Sequence, residues 1–120
     1  MIQIFFLIIM AIGGIPQQLL PYRQLLIFEG AKHSALARQQ IKLLKDAQEA
    51  VDDRDLKPII VKGGNTLYKK YQVKQDEFAV ILVGKDGTEK YRAKKVVPLD
   101  ELFALIDAMP MRREEVKHKR

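Results

Sequence analysis

Apolar positions along the chain fall into two kinds of pattern, unbroken runs and helically spaced stripes. Residues 24–28 (QLLIF) and 78–83 (FAVILV) are apolar at almost every position, which suits a strand covered on both faces. Residues 34–51 instead place Ala37, Ile41, Leu44, Ala47 and Val51 on one helical face, with Lys42, Lys45 and Glu49 opposite and Ser34 as the expected N-cap. The run Asp52-Asp53-Arg54-Asp55 then reads as a solvated acidic turn. Residues 58–61 form a second strand closed by Gly63-Gly64, and 66–71 a short helix with at least one of Tyr68 and Tyr71 packed inward. Asp86-Gly87 is a hairpin signal, with Gly87 in a structural role, and the return strand 89–94 alternates as an edge strand does. Pro98 opens a last helix to residue 108, buried through Leu99, Leu102, Phe103, Ile106 and Met109 and stopped by Pro110. Residues 111–120 are expected to be a loose, charged tail.

The element order is therefore β-α-β-α-β-β-α. A strand–helix–strand opening requires a parallel pair with a right-handed crossover, and the Asp-Gly hairpin requires an antiparallel pair. A four-stranded mixed sheet flanked by helices meets both requirements, in a domain spanning residues 23–110.

The N-terminus differs from the rest. Residues 1–15 are apolar apart from Gln3, too short a run to span a bilayer as a helix but suited to a signal peptide or membrane anchor. No lysine or arginine precedes the run, which fits a start a few codons inside the true one, or an uncleaved anchor. A buried N-terminal strand is the competing reading, since residues 4–10 favour β structure. Residues 16–22 read as a linker. Export (periplasmic, secreted or envelope-tethered) is the expected location, and cytoplasmic if the segment is not a signal.

Composition narrows the chemistry. With 48% hydrophobic residues the 120-residue chain is a folded domain, not a disordered one. It contains no cysteine, so thiol nucleophiles, disulfides and thiolate metal sites are excluded, and with two histidines no metal site is expected. A formal charge of +6 leans toward anionic partners.

Specific motifs carry a resemblance. The stretch Phe78 to Gly87 (FAVILVGKDG), then Lys90-Tyr91-Arg92, then Leu99 to Glu114 (LDELFALIDAMPMRRE), resembles the domain-of-unknown-function family 4174. The Gly-Lys-Asp-Gly turn and the Ile-Asp-Ala-Met-Pro-Met-Arg ending are its most specific parts. The resemblance implies a thioredoxin-like, peroxiredoxin-related domain, found in bacterial envelope proteins and in secreted animal proteins with sushi repeats. It implies no agreed catalytic residues and no cofactor. Laid on the thioredoxin pattern, the nucleophilic thiol position falls near His33, the resolving one near Leu36 and the cis-proline near Ala79. None of the three is kept, so neither thiol–disulfide oxidoreductase nor thiol peroxidase activity is expected.

Candidate sites are few. His33, Ser34 and Glu29 sit around the start of the long helix and are the candidates for a cysteine-independent enzyme at the old active-site rim. The plainer reading has Ser34 capping the helix and His33 exposed. Gly63-Gly64 lacks the Lys-Ser/Thr of a phosphate loop and reads as a turn. Asp107 stands unfavourably at a helix end unless Arg112 or Arg113 answers it, which points to a structural clasp. Lys32, Lys85, Arg92, Arg112 and Arg113 are the candidate ligand-binding cations. A binding or scaffolding module is the preferred function. Its expected partners are an anionic polysaccharide, an envelope lipid or a protein. Nucleic acid is disfavoured, and membrane contact runs only through the N-terminal segment.

Overall fold

The computed structural model describes residues 19–119, so the expected signal or anchor at 1–15 lies outside the described residues. The elements run β1 (Arg23–Phe28), α1 (Ser34–Asp46), α2 (Gln48–Asp53), β2 (Leu56–Val61), α3 (Leu67–Lys70), β3 (Ala79–Val83), β4 (Glu89–Ala93), α4 (Leu99–Asp107) and α5 (Pro110–Lys119). The strands form one sheet in the order β2-β1-β3-β4. β1 pairs parallel with β2 and antiparallel with β3, and β3 pairs antiparallel with β4 through an irregularity at Leu82/Val83.

The unbroken apolar runs are the two inner strands, and the reason is visible in the packing. Successive side chains of β1 and β3 point to opposite faces, and both faces are covered. Leu25, Ile27, Val80 and Leu82 pack with Ala37, Leu44, Val51, Leu102 and Ile106 from α1, α2 and α4. Leu26, Phe28, Ala79, Ile81 and Val83 pack on the other face with Tyr68 and Val73. Every residue of β3 is buried.

The outer edge on the β2 side is blunted by a proline. Arg23 N–H donates to the Asp55 carbonyl at 2.7 Å and Glu29 N–H to the Val61 carbonyl at 3.3 Å, so odd-numbered residues of this parallel ladder face β1. Pro58 therefore faces the edge left unpaired among the described residues, where its missing N–H breaks no ladder bond and discourages further strand pairing.

Three expectations are corrected. The cap of α1 is His33, whose carbonyl accepts from Leu36 and Ala37; Ser34 is already helical, and its Oγ only accepts from Arg38 at 3.4 Å. The long helix breaks at Ala47, after an aspartate that opposes the helix dipole, and resumes so that Val51 still reaches the core. Residues 110–119 are helix α5 and not a loose tail. Pro110, which ends the preceding element, is pre-organised for the first turn of the next. Gly87 does occupy a turn, with φ +82°, beside Asp86, whose carboxylate accepts from Thr88 N–H and Oγ.

Candidate functional site

The two ends of β1 carry different chemistry. At its C-terminal end the chain turns through Gly30 (φ +65°) into α1, and the Gly30 N–H is taken up by the buried Tyr68 hydroxyl, which itself donates to the Val61 carbonyl. His33 lines an open depression of about 400 Å³ with Leu36, Lys74, Asp76, Glu77 and Lys94. The charges there are mixed, and Lys94 lies 3.7 Å from Glu77. Among the described residues no hydrogen bond or ion pair joins the His33 imidazole to a carboxylate, to Ser34 or to Glu29. The three rim candidates share a neighbourhood without forming a proton-transfer pair, for which hydrogen-bond reach is the geometric requirement.

At the N-terminal end, about 17 Å away at strand rise, lies a network of four cations and four carboxylates. Arg23, 1% exposed, holds Glu115 by two bonds of 3.1 and 3.0 Å and also donates to the Arg54 carbonyl at 2.8 Å. Lys85 donates to Asp55 at 2.8 Å and to Glu115 at 2.9 Å. Arg112 donates to Asp53 at 2.6 Å and to Asp107 at 3.3 Å. Arg54 grips Asp107 with two bonds, at 3.0 and 2.9 Å, and lies 4.2 Å over the Phe103 ring. Asp55 supports this corner from a left-handed backbone, φ +48°.

The network sets the ionisation of its members. Burial alone would push the Asp107 carboxyl up, but Arg54 and Arg112 outweigh it and hold the group below its ordinary value. Glu115 behaves alike: burial opposes its charge, and Arg23 and Lys85 prevail to lower its pKa. Arg112 is pushed up, since Asp53 and Asp107 overcome the desolvation that would lower it.

This arrangement sorts the candidate cations. Lys85 and Arg112, expected as ligand-binding residues, spend their donors inside the fold; Arg112 is 4% exposed. Arg92 pairs with Glu89 through two bonds and donates to the Tyr71 carbonyl at 2.7 Å. Lys32 and Arg113 are exposed, with no side-chain bond among the described residues. The pairing of Asp107 with Arg112 is present, and Arg113 takes no part in it. Sequence reasoning missed Arg23, Arg54, Asp55 and Glu115, and took residues 52–55 for a solvated turn. The one available signal was the close mixing of opposite charges at 52–55 and 112–115.

Beside the network a groove of about 490 Å³ runs between the β3–β4 turn and the α4–α5 corner. Leu82, Leu105, Met109 and Met111 give it apolar walls, and Lys90 crosses its rim to Asp86 at 2.9 Å. No described helix is long and apolar enough to cross a membrane.

Comparison with known families places the chain. The model of the domain of unknown function DUF4174 matches residues 21–115. The chain belongs to the DUF4174 family. Several solved structures share its fold. A 2-Cys peroxiredoxin from Plasmodium vivax is similar at 16% identity over 81% of this chain and 83% of that one, with a TM-score of 0.63. Thioredoxin-2 of the malaria parasite gives 21% identity, 73% and 84% coverage and a TM-score of 0.58. A further malarial protein gives 24% identity, 72% and 94% coverage and 0.56. No curated protein matches. These likenesses establish a thioredoxin-like fold for this DUF4174 domain. The chain contains no cysteine, and no cis peptide occurs among the described residues.

Proposed function

We propose that this domain is a cysteine-free, thioredoxin-like binding or scaffolding module at the cell envelope, and that its ligand is acidic. One observation carries the reading: the chain has no cysteine, and at the start of α1, where the family resemblance puts a thioredoxin's thiols, the described residues give the His33 imidazole no proton-transfer partner and leave Leu36 half-buried. Thiol exchange requires a thiolate nucleophile, and the chain has none to offer. The rim residues His33, Ser34 and Glu29 lack the mutual contacts of a catalytic set, which favours binding over a cysteine-independent enzyme. Envelope location rests on the apolar run 1–15, and the acidic ligand on the formal charge of +6. The test is chromatography of the full chain on an immobilised polyanion. Retention at low salt that weakens steadily as salt rises is the expected result. Passage through the column at low salt would remove the acidic-ligand reading.

A further inference from the structure

Helix α5 is fastened to the domain by charge more than by apolar packing. None of its residues belongs to either apolar cluster. Its anchors are Arg112, on Asp53 and Asp107, and Glu115, on Arg23 and Lys85. Only Ala108 and Met109 separate it from α4, a short hinge closed by the Met109 N–H on the Ile106 carbonyl at 2.9 Å.

The cations that receive Glu115 are held in place without it. Arg23 keeps its bond to the Arg54 carbonyl, at the end of α2, and Lys85 keeps its bond to Asp55, just before β2. With α5 lifted away, both would still face the space the carboxylate leaves. A guanidinium offering two parallel donors beside an ammonium matches a carboxylate in shape and charge. The apolar groove begins at the same place, since Arg23 and Lys85 line it together with Leu82, Leu105 and Met111. Helix α5 uses both features at once. Met111 lines the groove while Glu115, one turn later on the same helical face, fills the cationic corner.

We propose that Arg23 and Lys85 form a carboxylate-binding socket, which Glu115 fills as the chain's own stand-in ligand. Helix α5 is then a displaceable strap, and its place is taken by a glutamate-bearing helical segment of a partner protein. That segment carries an apolar side chain four residues before a glutamate, the spacing of Met111 and Glu115. The inference rests on the binding-module reading and names the surface and the ligand chemistry. Because the strap is tethered, it competes at high effective concentration, and a partner must outbid it or bind when it is loosened.

The probe is a peptide of residues 110–119 with blocked ends, added to the full chain and followed by fluorescence anisotropy. The double variant Arg112→Ala/Glu115→Ala, which releases both anchors, should bind it saturably, at least about tenfold more tightly than the wild type with its strap in place. The same peptide with Gln at position 115, which keeps only the Arg112 anchor, should bind the double variant at least about tenfold more weakly. Equal binding of the two peptides, or binding of neither to the double variant, would overturn the socket. Should the variant fail to fold, hydrogen exchange on the wild type decides. Amides of α5 should exchange faster than those of β1 and β3, and faster again with added salt. Exchange of α5 only in step with the strands would overturn the strap. Failure of the peptide test with polyanion retention intact removes the socket alone, while the reverse outcome removes the polyanion reading alone.

Discussion

Arg23, the first residue of β1, and Glu115, in the last helix, meet in two parallel hydrogen bonds of 3.0 and 3.1 Å across 92 positions of sequence. The pair closes the domain by joining its first strand to its last element. Loss of one member of a buried ion pair commonly costs about 3–5 kcal/mol, because the survivor is left unpaired. Here α5 can lift and admit water to Arg23. Glu115→Ala should therefore lower stability in urea by only about 1–2 kcal/mol, below that range, while exchange protection of α5 is lost outright. A full loss of about 4 kcal/mol or more, the cost of a rigidly buried pair, would mean that α5 cannot open.

The pH dependence of stability follows from the same carboxylates. Glu115 and Asp107 ionise more readily folded than unfolded, since Arg23 with Lys85, and Arg54 with Arg112, overcome the opposing effect of burial. A depressed folded pKa contributes stability that is fully present above the unfolded value and is lost as pH falls through the folded one. Urea midpoints should thus hold steady from neutral pH down to about 5 and fall below the usual carboxylate range near 4. Midpoints unchanged down to pH 3 would contradict the assignment.

A buried glutamine carries a second tertiary link. Gln40, fully buried, donates to the Val97 carbonyl at 3.1 Å and accepts from the Val97 N–H at 2.7 Å. This exchange ties α1 to the segment leading into α4. Gln40→Leu strands both Val97 groups in the core and should cost about 2–6 kcal/mol, at roughly 1–3 per unsatisfied group. Thermal unfolding beside Gln39→Leu, an exposed neighbour expected to stay within about 0.5 kcal/mol, provides the check.

Two glycines at positive φ should respond differently to alanine. A Cβ on Gly30 would lie 2.8 Å from the Glu77 carbonyl oxygen, whereas one on Gly64 meets nothing within 4 Å. Gly64→Ala then carries only the conformational cost of about 1–2 kcal/mol. Gly30→Ala adds a clash with backbone and should exceed it by about 1–3 kcal/mol, the usual range for overpacking. Equal unfolding midpoints for the two variants would contradict the packing around Gly30.

How much was legible in the sequence follows from the range of the forces involved. Local pattern revealed the two inner strands, because side chains buried on both faces must be apolar at every position, as in residues 79–83. The hairpin at Gly87 and the opening of α4 after Pro98 were legible through backbone rules that act over a few residues. Gln40 was hidden on an otherwise polar stretch, since its burial depends on Val97, 57 positions away. The charge network was hidden for the same reason. Arg23 and Glu115 look like ordinary solvated ions until the topology brings the ends of the domain together. Only Asp107 with Arg112, five positions apart, lay close enough in sequence to be anticipated.

The central claim is that a thioredoxin-like scaffold here operates without thiol chemistry, and insulin reduction tests it most directly. With dithiothreitol as electron donor, the purified full chain should leave insulin precipitating at the rate seen in buffer alone. Acceleration that scales with the concentration of the chain would contradict the account.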